Sequence, residues 1–267
     1  MKKKSASQAA RKLTGKVILL TTTGLVFLTS AGFGDLDVGE AVFVGKGGAG
    51  KLTITQGIVN SASASIASLA GQIWVSSGSA TVDGGGSHWI ISGEADVGGT
   101  TSAAGGTGLL TVTNSGTVTA ANVHVWDSGT LTGNGTVSTT NGTTVDGTLS
   151  PRGGNGTLTF DGDLQLTGGA STQCNVTPQD PSTTPQVSVS AQVSLGGRLS
   201  VTMTGDFSSA PTRFTLLYAD TFDVNHITFD KTSITYPTGQ GCWYPVITYD
   251  YTSGHVSVYL DRVYTCN

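Results

Sequence analysis

Charge, proline and tyrosine are all scarce in this chain, and each scarcity excludes something. Only 11% of the 267 residues are charged. A chain of this size buries a real core, and with so few charges that core is expected to be long and thin rather than spherical. Once the first sixteen positions are set aside, seven basic residues face 17 acidic ones, a balance of -10. Such a surface repels phosphate backbones and excludes nucleic acid as a partner, whereas hydrated cations or basic partners fit it. Three cysteines, Cys174, Cys242 and Cys266, are too few for a disulfide scaffold and lack metal-ligand spacing. In an oxidising compartment, Cys242 paired with Cys266 would tie down the C-terminal segment and leave Cys174 over. The alternative makes Cys174 one partner of the pair. Proline is absent before Pro151 and tyrosine before Tyr218, so the tail is expected to differ in kind from what precedes it.

A long hydrophobic run is also missing. Val17 to Leu28 is apolar but broken by Thr21 to Gly24, short of the roughly 20 residues that span a bilayer. Six basic residues (Lys2, Lys3, Lys4, Arg11, Lys12 and Lys16) precede it, and small residues, Ser30-Ala31-Gly32, follow. That is the layout of an export signal over residues 1–31, cleaved after Ala31. The expected product is secreted or held at the cell surface, with no stable membrane span after the signal is removed.

Glycine is what the chain has in excess, 39 residues, about twice the usual share. It punctuates a period. Runs such as Leu110-Thr111-Val112-Thr113, Thr130-Leu131-Thr132 and Leu158-Thr159-Phe160 alternate apolar and polar residues, as half-buried strands do. Between such runs stand Ser115-Gly116, Asn134-Gly135, Asn141-Gly142 and Asp146-Gly147, pairs that favour turns. Val42 to Thr55 can be laid over Asp96 to Thr113, a duplication of about 58 residues from Leu52 to Leu110. These patterns predict an all-β, irregular three-sided parallel solenoid over residues 32–204. Ser61 to Gly71 is read as strand or loop rather than helix. A protruding loop is expected near 172–186, where Pro178, Pro181 and Pro185 cluster. Residues 205–267 are expected to form a C-terminal antiparallel β cap, with a hairpin from Ile247-Thr248-Tyr249-Asp250-Tyr251 and His255 to Leu260.

A family resemblance rests on four segments. Gly129 to Val137 (GTLTGNGTV), Gly147 to Leu166 (GTLSPRGGNGTLTFDGDLQL), Leu195 to Val201 (LGGRLSV) and Phe214 to Ala219 (FTLLYA) together resemble the passenger regions of bacterial autotransporters. Ala80 to Trp89 and Asp96 to Gly98 are similar to strand repeats of the same group. The resemblance covers roughly residues 35 to 219. It implies a right-handed parallel β-helix outside the cell, acting in adhesion or surface structure. The C-terminal membrane barrel of that family has no counterpart here, so release or noncovalent attachment is expected.

Some parallel β-helices cleave polysaccharides, which directs attention to the acids and bases. The candidates are Asp83, Glu94, Asp96, Asp127, Asp146, Asp161 and Asp163, with His88, His124, Arg152 and Arg198. Most of the acids stand singly beside glycine, where a turn explains them. Asp161-Gly162-Asp163 is the one close pair, read as a solvated turn ahead of a weak calcium site. No catalytic, metal or cofactor residues are assigned. Gly47 to Thr53 resembles a phosphate loop only superficially, since strands flank it on both sides. Trp89, His124 and Trp126 are the candidates for contact with a glycan, through ring stacking; Trp74 is a weaker one. Threonine runs beginning at Thr53, Thr111, Thr117, Thr130 and Thr157 take unequal steps, which argues against one flat aligned face. The functional expectation is a secreted, non-enzymatic structural or adhesive module, whose partner is an extracellular glycan or surface protein. The alternatives are a glycan-binding module and a lyase-like enzyme.

Overall fold

The computed structural model describes residues 35–68, 76–151, 156–180, 183–238 and 243–264, with the backbone of three short strands nearer the N-terminus. The described chain is all-β and solenoid-like, built on long parallel sheets, with one short 3-10 turn at Thr252–Gly254. Alternation produces these strands. In Thr107–Thr113, Gly108, Leu110 and Val112 are buried while Leu109 and Thr111 are half-exposed. The neighbouring Ser77–Asp83 buries Gly78, Ala80 and Val82 in the same way.

Strands recur along the chain in three interleaved series, and members of one series pair in parallel. The first runs through Gly57–Ser61, Ser87–Ile91, Thr117–Ala120, Thr136–Thr139 and Leu158–Asp161. The second runs through Ala41–Val44, Ser63–Ile66, Glu94–Val97, Asn122–Val125, Thr143–Val145 and Leu164–Leu166. The third takes in Ala49–Ile54, Ser77–Asp83, Thr107–Thr113, Gly129–Gly133, Thr148–Pro151, Ser171–Val176, Arg198–Met203 and Lys231–Thr235. Inward residues stack in columns, such as Leu52, Ala80, Leu110, Leu131 and Leu149. All five are buried. Ala80 lies between Leu52 and Leu110, so the 58-residue duplication spans two rungs rather than one.

The expected segment boundaries are partly redrawn. Ser63–Ile66 is strand, as read; the rest of that stretch beyond Ser68 lies outside the described residues. The loop expected to begin at Thr172 begins instead after Val176, because Thr172, Cys174 and Val176 alternate inward on Ser171–Val176. Parallel pairing continues past residue 204 through Arg213–Phe222, which pairs with Val187–Ser194, and Lys231–Thr235. At the N-terminus, the backbones of Arg11–Lys12, Ile18–Leu20 and Leu25–Leu28 pair in parallel with Leu36–Asp37, Ala41–Val44 and Ala49–Ile54. These short strands fall within the expected export signal, the rest of which lies outside the described residues.

Cys174 is buried and free, which excludes it as a disulfide partner; Cys242 and Cys266 lie outside the described residues. Burial pushes its thiol up to about 12. The thiolate is the reactive form. Cys174 is therefore expected to stay silent toward Ellman's reagent in the folded protein and to react fully once denatured; native-state labelling at Cys174, located by mass spectrometry, would contradict the burial.

One of these parallel strands turns the pairing around. Arg213–Phe222 pairs antiparallel with Val256–Tyr264, which pairs antiparallel with Trp243–Asp250. Arg262, 5% exposed, donates to the carbonyls of Phe207 and Ala210 and faces the Trp243 ring. Asp261 accepts from Arg213 through Nε at 2.7 Å and Nη2 at 3.0 Å, and from Thr248 Oγ1 at 2.6 Å. Burial pushes the Asp261 carboxyl up, but these hydrogen bonds and the guanidinium charge outweigh it, holding the group below its ordinary value. A depressed carboxylate stabilises the fold above its unfolded value near 4, and that stabilisation is lost as pH falls through the lower folded value. Thermal melts are expected to show an acid-side decline that Asp261→Asn flattens. The size is about 1 kcal/mol at most, because Arg213 is half exposed.

Candidate functional site

On Glu94–Val97, Ala95 and Val97 are buried core residues, which directs Glu94 and Asp96 to the outer side. Asn122–Val125 lies beside it in parallel, with Glu94 opposite Asn122 and Asp96 opposite His124. Parallel register therefore brings an acid and a base from successive rungs together. Trp126 and Asp146 follow at the strand ends of two adjacent rungs. Trp126 reaches back one rung, its Nε1 donating to Asp96 Oδ1 at 2.9 Å. The indole lies against Gly99, where a Cβ would stand 2.4 Å from Trp126 Cδ1. His124 reaches forward instead, with Nε2 2.6 Å from Asp146 Oδ2. Thr167 Oγ1 donates to Asp146 Oδ1 at 2.6 Å. The His124 and Trp126 rings are 4.0 Å apart and tilted by 34°.

The two aspartates differ in their electrostatics. Burial raises the Asp96 carboxyl to about 6; the Trp126 bond and His124 pull it down, and the charge of Glu94 pushes it up. Asp96 is only 2% exposed. Burial also pushes Asp146 up, but hydrogen bonds from His124 and Thr167 and the charge of His124 more than offset it, leaving it below the ordinary range. Asp146 is thus held as the ionised carboxylate of the cluster. One ligand atom from each of Glu94, Asp96 and His124 lies within 4.8 Å of the others. The arrangement can hold a proton on a buried acid, orient an imidazole, or supply ligands to a cation.

The remaining sequence candidates scatter. Trp89 is a correction: it is 1% exposed, pairs between Val59 and Val118, and donates from Nε1 to Ser61 Oγ at 3.1 Å. A ring in the core cannot stack on a sugar. His124 and Trp126 are half-buried at the surface and adjacent. Asp83 accepts from Thr113 and Asn114, and Asp161 from Ser138 and Ser190, so both tie rungs together. Asp163 accepts from the Gln192 backbone N–H. Arg152 and Trp74 lie outside the described residues. Beyond His124 the outward column continues through Thr144, Gln165 and Ser194, which help line a shallow polar depression with Asp163 and Asp223.

Glu94, Asp96 and Asp146 as a group escape the sequence reading, which takes most of the acids singly, as turn residues beside glycine. A signal is present: superposing Asp96-Val97 on His124-Val125 places the acid over the base. The threonine runs also align more than their spacing suggests. Thr53, Thr81, Thr111, Thr132 and Ser150 form one outward column on the third series, and Thr130 and Thr148 extend a second. Turns of unequal length absorb the unequal steps. Thr117 belongs to the first series, and Thr157 precedes a strand.

No protein-family model matches the chain, and no curated protein matches it.

Proposed function

We propose that the chain is an exported, non-enzymatic structural or adhesive module of the bacterial cell surface, related in kind to autotransporter passengers. In this reading it is a right-handed, three-sided parallel β-helix with a C-terminal antiparallel cap. The observation that carries the reading is the column of hydroxyl side chains from Thr53 to Ser150, in register across five strands. Such a face is polar and regular, and Thr132 Oγ1 spends its proton on the Ser150 carbonyl at 2.6 Å. It suits extended contact or lateral packing better than chemistry.

The test is a binding screen of the exported chain against glycans, polysaccharides and bacterial surface proteins. N-terminal sequencing of that chain is expected to begin at Gly32. Saturable binding to a surface glycan or protein without product release is the expected result. Release of new unsaturated or reducing ends would overturn the non-enzymatic assignment.

One observation favours a second reading, a polysaccharide-cleaving enzyme: Asp96, His124 and Asp146 put two acids and a base on one outer face. The same wells decide it, because turnover abolished by both Asp96→Asn and His124→Gln would locate the chemistry there.

A further inference from the structure

We propose that Glu94, Asp96 and His124 form a binding site for a first-row divalent transition metal, with zinc the best-matched ion. Their ligand atoms lie within 4.8 Å of one another, on adjacent strands whose register sets Asp96 opposite His124. Zinc takes oxygen and nitrogen ligands at about 2.0–2.2 Å. The half-buried Glu94 side chain closes on the ion by a change of rotamer.

Three features show a built site rather than a chance meeting of acids. Asp96 is 2% exposed, yet its single side-chain hydrogen bond among the described residues goes to Oδ1, from Trp126. That leaves Oδ2 as the carboxylate oxygen open to a cation. His124 is held by Asp146 through Nε2, so Nδ1 is the ring nitrogen that this carboxylate does not engage. A carboxylate on the far nitrogen is the usual way a metal-ligating histidine is oriented. Asp146 is itself held by Thr167.

The donor set selects the ion. One imidazole and two carboxylates suit zinc and its first-row neighbours; calcium prefers six to eight oxygens, and soft ions prefer sulfur. Three protein ligands leave a coordination position for water or for a donor from a partner. This inference goes beyond the adhesive reading and stands whether or not a surface partner is found.

The experiment is calorimetric titration of zinc into the full chain, free of any histidine tag and stripped with chelator. One ion per chain is expected, with a rise in Tm at saturation. Asp96→Asn keeps an acceptor for Trp126 and so preserves the fold, checked by circular dichroism, and is expected to weaken binding at least about 100-fold. Glu94→Gln, at a half-buried position, serves as the second ligand variant and is expected to weaken it about 10-fold or more. Asp146→Asn touches no metal and acts by positioning His124, so it is expected to lower affinity roughly 10–100-fold at unchanged stoichiometry. Equal zinc affinity in wild type, Asp96→Asn and Glu94→Gln would overturn the assignment, as would no binding up to millimolar zinc. Tighter binding of calcium than of zinc would overturn the class of ion.

Discussion

Gly108→Ala is expected to unfold or severely destabilise the protein, although it adds one methyl group. Gly78, Gly108 and Gly129 form a column on the inward side of the third series. There the strand ends of the second series pass directly beneath. A Cβ on Gly108 would lie 2.2 Å from Gly98 N and 2.8 Å from Ile66 O, the two atoms of a 2.7 Å backbone hydrogen bond. The obstacle is backbone on both sides, so no side chain can swing away. Overpacking a core costs typically 1–3 kcal/mol, occasionally more; a clash this close belongs at or above about 3. Gly129→Ala meets Val97 O at 2.1 Å and is expected to behave alike. Gly86→Ala has nothing within 4 Å and is expected to change stability by no more than about 0.5 kcal/mol. Denaturant midpoints of the three variants check this, and a near-native Gly108→Ala would refute the close backbone approach.

Trp89→Ala is expected to cost about 3–5 kcal/mol, the range for truncating a buried large aromatic. It removes the largest fully buried side chain among the described residues and strips Ser61 Oγ of its donor. Trp89→Phe keeps most of the ring volume and is expected to lose far less, since mainly the hydrogen bond goes. Trp126→Ala reads differently. Its indole is half-buried, so the packing loss is smaller, but it removes the one side-chain donor to Asp96 among the described residues. Thermal melts of the three variants are therefore expected to rank Trp89→Ala lowest. Any glycan binding should be lost in Trp126→Ala, while Trp89→Phe should retain it. Loss in Trp89→Phe with Trp126→Ala unaffected would reverse the assignment of surface and core.

Much of the strand pattern was legible because it is local. Alternation across Leu110 to Thr113 predicts which side of that strand is buried, and the pairs Asn134-Gly135 and Asp146-Gly147 predict interruptions. Trp89 was not legible. Ser87-His88-Trp89-Ile90-Ile91 carries apolar residues on both sides, and only pairing with Val59 and Val118 sends Trp89 inward and leaves Ile90 39% exposed. The strand at Ser171–Val176 was masked in a similar way, because its inward Thr172 and Cys174 are less apolar than a core column usually is.

The amino-acid sequence by itself determined the all-β character, the sides that strands bury, the excess of acid over base, and the different tail. These follow from side-chain direction along a strand and from turn chemistry, which act over a few residues. Only the tertiary structure decided which rung lies on which. Turns of unequal length separate Leu52, Ala80, Leu110 and Leu131, so their common column cannot be counted along the chain. The same nonlocal register set Asp96 beside His124, and His124 beside Asp146. Hydrogen bonds between strands a full rung apart, rather than neighbours in sequence, assembled this cluster of acids and base, on which the metal-site inference turns.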